Sequence, residues 1–212
     1  MDFPQRVNGW ALYAHPCFQE TYDALVAEVE TLKGKDPENY QRKAATKLLA
    51  VVHKVIEEHI TVNPSSPAFR HGKSLGSGKN KDWSRVKFGA GRYRLFFRYS
   101  EKEKVIILGW MNDENTLRTY GKKTDAYTVF SKMLKRGHPP ADWETLTRET
   151  EETHGWCSQC PPNAFVLTSG HPFSLPDQNH FNPSLSQSFQ AIRRNAFINN
   201  DHVDTLSIND LM

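Results

Sequence analysis

The stretch Trp83–Met111, WSRVKFGAGRYRLFFRYSEKEKVIILGWM, decides the fold. It reads as three antiparallel strands. Trp83–Phe88 is the first, Gly89-Ala90-Gly91 is a tight turn, and Gly91–Tyr99 is the second. Glu101-Lys102-Glu103-Lys104 is a charged hairpin loop, and Val105–Met111 is the third strand. Side chains alternate between faces along a strand. Tyr93, Leu95, Phe97 and Tyr99 therefore share one face of the second strand, and Arg92, Arg94, Phe96 and Arg98 share the other. Val86 and Phe88 oppose Arg85 and Lys87 on the first strand. With the apolar faces aligned, one side of the sheet carries Arg85, Lys87, Arg92, Arg94 and Arg98. An antiparallel sheet often keeps such a side simply as its wet face. A solvated face, however, mixes signs because neighbouring like charges repel, and no acid lies between Trp83 and Ser100. A face of one sign, with Phe96 among the cations, suits a polyanion with stackable bases.

The 212 residues suit one domain with an extension, or two small ones. Hydrophobic content of 38% and a mean hydropathy of -0.65 imply that part of the chain does not pack. No run approaches the roughly 20 apolar residues of a membrane span. The start, MDFPQRVNGW, lacks the charged end and apolar core of a secretory signal. Three cysteines are too few and too odd for a disulfide framework. A cytoplasmic protein is expected. Net charge is only +3, but Arg70–Lys104 holds 11 basic against 3 acidic side chains. A local field of that kind steers an anionic partner.

Outward from the sheet, Val7–Ala14 reads as a short first strand. Pro16 opens a helix whose Phe18, Tyr22, Leu25, Val29 and Leu32 recur at helical spacing up to Gly34. Asp36-Pro37 signals a second helix, running to about Thr61 before Asn63-Pro64. The two make a helical hairpin whose apolar side the sheet would bury. Asn63–Lys81 is a loop broken by Pro64, Pro67, Gly72, Gly76 and Gly78, and its Arg70 and Lys73 are candidate phosphate contacts. GKSLGSGK in that loop lacks the strand and helix context of a nucleotide-hydrolase phosphate loop. Leu117 and Tyr120 fall in a short turn after the third strand. Asp125–Arg136 is a helix with Tyr127, Val129, Phe130, Met133 and Leu134 apolar, and Asp142–Glu152 is a last short one. From Gly155 lysine vanishes and Pro, Ser, Asn and Gln abound, the composition of a poorly ordered tail. Cys157-x-x-Cys160 with His154 and His171 has the residue types of a zinc set, but a single CxxC without paired histidines reads as idle thiols, and no metal is expected.

WSRVKFGAGRYRLFFRYS followed by KVIILGW resembles the strand core of RelE-type bacterial toxins, and two helices ahead of such a sheet are the order of that family. NDENTLRTYGKKTDAYTVFSKMLKRGHPP is similar to the YhaV branch of those toxins. The resemblance covers residues 1–154 and stops at the tail. It implies an α+β fold, RelE-like, in which an amino-terminal helical hairpin packs on a small twisted, mostly antiparallel sheet with short carboxyl-terminal helices. It implies a toxin that cuts mRNA during translation, associated with the ribosome, and needs no cofactor. A cognate PrlF-like antitoxin would neutralise it, and the complex would bind operator DNA. The basic residues of the family motif fall on Arg85, Lys87 and Arg94. They would stabilise the extra charge of the transition state, Lys87 also serving as a weak acid, while Arg92 and Arg98 hold flanking phosphates. His154 stands where some relatives keep a terminal catalytic histidine, and its pKa class suits proton transfer. His71 and Tyr120 are lesser candidates for the base. The same arginine face would serve a nucleic-acid-binding regulator that does not cut, or a domain that binds another protein.

Overall fold

The computed structural model describes residues 1–72, 74–75 and 78–154, without the side chains of Lys79, Thr153 and His154. Five strands form one sheet in the order β1-β2-β5-β4-β3: β1 Gln5–Val7, β2 Trp10–Ala14, β3 Ser84–Phe88, β4 Tyr93–Ser100 and β5 Val105–Met111. All neighbours are antiparallel except β2 and β5, which run parallel. The first strand expected from the sequence is in fact a hairpin. Asn8 and Gly9 both take positive φ, 50° and 83°, which is the two-residue turn that an Asn-Gly step favours.

Between β2 and β3 the chain makes its first two helices. Helix α1 spans Pro16–Lys35, with the His15 ring nitrogen accepting from Cys17 N–H as its cap. Helix α2 spans Ala44–Lys54 and runs on into a wider π turn, Val55–Ile60. It starts seven residues later than Asp36-Pro37 suggests, at Ala44 instead of Pro37. Asp36 closes α1 instead: its backbone N–H reaches the Leu32 carbonyl, and its carboxylate takes Asn39 N–H in a turn. Phe18, Tyr22, Leu25 and Val29 of α1 join Leu49, Val52 and Ile56 against Leu95, Phe97, Ile106 and Leu108 of the sheet.

The opposite face is where sequence and structure part. It is not wet. Helices α3, Ala126–Lys135, and α4, Trp143–His154, cover it. Tyr127, Phe130, Leu134 and Leu146 pack on Phe96, Ile107, Trp110 and Trp83. A bulge keeps both faces apolar. Phe96 pairs with Trp110 and Phe97 with Leu108, so Gly109 is the extra residue and alternation restarts there. Only glycine fits, because a Cβ at Gly109 would lie 2.3 Å from the Trp83 ring. Trp110 thereby joins the second core and Met111 returns to the first.

Candidate active site

The cations of β3 and β4 meet under the first turn of α3. Arg85 and Lys87 are two residues apart on β3 and so share a face, and Lys87 stands directly opposite Arg94 on β4. Like charges placed so in a sheet are destabilising. Asp125 caps α3 by accepting from Tyr127 N–H at 3.0 Å, which lays the Tyr127 ring over the sheet. Its hydroxyl accepts from Arg85 Nε at 2.7 Å and from Arg94 Nε at 3.4 Å. Arg85 Nη1 also donates to the Ala68 carbonyl at 3.0 Å. Arg94 Nη1 donates to the carbonyls of Gly91 and Tyr93, at 2.8 and 2.7 Å. Among the described residues, neither guanidinium is paired with a carboxylate.

The electrostatic signature follows. Burial, more than the neighbouring cations, lowers the Arg94 guanidinium from its ordinary value. The Lys87 ammonium is lowered chiefly by Arg85, then by burial and by Arg94, and slightly by Arg118. An ammonium held below its usual range gives up a proton more readily.

A loop completes the rim. Asp125 is buried and its carboxylate takes the Arg118 guanidinium and, at 2.7 Å, Thr119 N–H. Arg118 N–H bonds the Arg92 carbonyl at 3.0 Å, so this loop lies beside the start of β4. Buried Asn112 accepts from Arg94 N–H and donates to the Thr116 carbonyl, tying the end of β5 to the same place. The Arg118 guanidinium lies over two rings, 3.7 Å from the Tyr120 centroid and 5.0 Å from that of Tyr127.

The structure brings Arg85, Lys87 and Arg94 together as the alternation suggests. Arg92 is exposed on the turn next to them. Arg70 is exposed beside β3, where it pairs with Ser84. Two expectations are overturned. Phe96 offers no face to a base: it is fully buried, stacked on Phe130 at 4.1 Å, because α3 covers it. Arg98 does not reach outward to flanking phosphates. It lies 5.9 Å from the Trp83 ring and 5.4 Å from that of Trp143, donates to the Ala141 carbonyl at 2.7 Å, and pairs with Asp82 at 3.6 Å. It fastens α4 to the sheet. His71 is buried with Nε2 at 3.1 Å from the Asn80 carbonyl and Nδ1 enclosed, so it braces its loop rather than facing a substrate. His154 ends α4, but its side chain, like Lys73, Cys157, Cys160, His171 and the expected tail, lies outside the described residues. Sequence reading missed Tyr127 and Arg118. The first sat in an apolar helical stripe, and its only signal was its place two residues after a capping Asp. The second sat in a turn without periodicity.

Arg85, Lys87 and Arg94 gathered on a small mixed sheet between helices, with no acid paired to them among the described residues, fit the architecture of the RelE-like toxins. A family model described as a toxin with endonuclease activity, of a toxin–antitoxin system, matches residues 12–151, and the chain belongs to this YhaV family. It is 97% identical over 154 residues to Toxin YhaV of Escherichia coli O6:H1 (strain CFT073), an alignment covering 73% of this chain and 100% of that relative. No solved structure matches. The protein is thus a toxin with endonuclease activity, and an antitoxin is its partner. Among the described residues no helix is long and apolar enough to cross a membrane.

Proposed function

We propose that residues 1–154 form a toxin domain that cuts mRNA by attack of a ribose 2′-hydroxyl on the adjacent phosphate, without a metal ion. The observation that supports this reading is the group Arg85, Lys87 and Arg94, in which both guanidinium groups are held by neutral oxygens instead of carboxylates and Lys87 stands opposite Arg94. In the reaction the 2′-oxygen bonds phosphorus as its proton passes to a water molecule, and the bond to the 5′-oxygen breaks. The products are a 2′,3′-cyclic phosphate and a 5′-hydroxyl. Charge grows on the phosphoryl oxygens in between, and planar guanidinium forks suit them. Arg85 and Arg94 take that role. Lys87, with its proton loosened by Arg85, supplies the proton to the departing 5′-oxygen. Arg92 and Arg70, both exposed near the site, contact flanking phosphates.

The resemblance to RelE-like toxins supports ribosome-associated cutting in the cytoplasm, a PrlF-like antitoxin, and operator binding by the complex. The endonuclease activity described for the family favours cutting over a purely regulatory role. The test is incubation with free RNA in EDTA and, separately, with a translating extract in its magnesium buffer, reading new ends for cyclic phosphate. Cutting in EDTA that Arg85→Ala abolishes, in a variant with wild-type circular dichroism, is the expected result. Cutting that needs a divalent cation, or full activity of Arg85→Ala, defeats the mechanism.

A further inference from the structure

Burial of Phe96 removes the expected stacking platform from the cationic face, yet one aromatic ring beside that face stands open. Tyr120 is 90% exposed. Such exposure usually means a mobile loop tip, but this loop is clasped. Asp125 holds both Arg118 and Thr119 N–H, and Arg118 N–H is bonded to the Arg92 carbonyl in the turn that leads into β4. The Arg118 guanidinium lies 3.7 Å from the centre of the Tyr120 ring and is itself only 16% exposed. One face of the tyrosine is thereby backed by a fixed cation, and the ring is set before any ligand arrives. Arg118 is close enough to Lys87 and Arg94 to lower both of their pKa values. The same guanidinium lies 5.0 Å from the centre of the Tyr127 ring, whose hydroxyl holds Arg85 and Arg94, so Tyr120 sits at the edge of the phosphate-binding cations.

We infer that Tyr120, backed by Arg118, is a base-stacking subsite: it holds one nucleobase of single-stranded RNA flanking the phosphate bound by Arg85, Lys87 and Arg94. The chemistry fits that occupant. A strand has a π face at each base and a charge at each phosphate, and the site offers an aromatic face next to uncompensated cations. Stacking accepts any base, so the subsite contributes affinity and register more than sequence choice.

This inference rests on the RNA-cutting reading, and the test separates the two. Full-length wild type, Tyr120→Ala, Tyr120→Phe and Tyr120→Trp are titrated at low salt against two labelled strands, both 2′-O-methylated so that neither is cut. One strand carries bases and the other is abasic throughout. Tyr120→Ala should weaken binding of the first by about five- to 150-fold, the worth of one base–aromatic stack. The Phe and Trp variants should bind it as wild type does, and all four proteins should hold the abasic strand alike. Equal binding of the base-bearing strand by wild type and Tyr120→Ala overturns the subsite, as does an equal loss on the abasic strand or a Phe variant as weak as Ala. Unchanged RNA binding with weakened inhibition by the antitoxin gives the ring to the protein partner and overturns it too. Failure of the wild type to hold either strand removes the RNA-cutting reading itself.

Discussion

Replacing Tyr127 by Phe isolates one oxygen on which two catalytic candidates depend. The ring stays, with its edge on Phe96 at 5.6 Å, so the core under α3 is unchanged. What goes is the acceptor of Arg85 Nε at 2.7 Å and Arg94 Nε at 3.4 Å. Both guanidinium groups are buried, Arg94 to 5% exposure, so water does not simply replace the lost oxygen. A hydrogen bond to a charged group is worth about 1.5–3 kcal/mol, and an orphaned buried donor costs at least as much as the bond it lost. Stability should fall by roughly that amount in urea unfolding. Cutting should fall separately, because the forks of Arg85 and Arg94 are no longer pinned relative to one another. If the same energy is lost from the transition state, the single-turnover rate drops about 10- to 150-fold. The assay is cleavage by saturating protein, with urea midpoints measured on the same preparations. Wild-type rate and wild-type midpoint in Tyr127→Phe would refute the claim that this hydroxyl positions the arginines. A lower midpoint with an unchanged rate would leave it a structural bond only.

Two other outcomes are checkable with the same preparations. Because Arg85 lowers the Lys87 ammonium, cutting should decline on the alkaline side at a pH below lysine's ordinary value of 10.5, where the donor proton is lost. Lys87→Arg, which keeps its proton throughout, should cut more slowly and lack that decline; an unchanged profile would assign the limb to another group. Gly109→Ala should cost about 1–3 kcal/mol in urea unfolding, since its Cβ would press on a buried Trp83 ring; a stable variant would show that the bulge tolerates a side chain.

The parts of the fold that were legible in the sequence are those governed by period and length. Helix α1 follows from the spacing of Phe18, Tyr22, Leu25 and Val29, and β5 falls where a bounded apolar run puts it. The beginning of α2 was not, because Asp36-Pro37 can open one helix or close another, and contacts with Leu32 decide which. The Asn8-Gly9 turn carried a clear hairpin signal that a three-residue β1 made easy to overlook. The site was half legible. Alternation put Arg85, Lys87 and Arg94 on one side, but whether α3 covers that side is a tertiary fact. One residue hinted at it. Phe96 is the only apolar side chain in the run Arg92, Arg94, Phe96, Arg98, and a lone large ring on a charged strand face asks for a cover. Tyr127 and Arg118 carried no such hint, since what they do depends on partners far along the chain.

The partners sort the buried arginines by role. Arg98 lies against Asp82, and Arg118 against Asp125. A carboxylate partner fixes a guanidinium in place and offsets part of its field, so these two act chiefly through geometry, one fastening α4 and the other setting a loop. Arg85 and Arg94 are instead held by carbonyls of Ala68, Gly91 and Tyr93 and by the Tyr127 hydroxyl. Neutral oxygens satisfy the N–H groups, which burial demands, yet leave the positive charge uncancelled. With Lys87 facing Arg94 across the strands, this corner of the sheet is electrostatically unfavourable when empty. In the mechanism proposed above, a bound phosphate, gaining charge as its bond to the 5′-oxygen lengthens, would supply the missing anion at the moment it is most negative, and the repulsion in the resting protein would become attraction specific to the transition state.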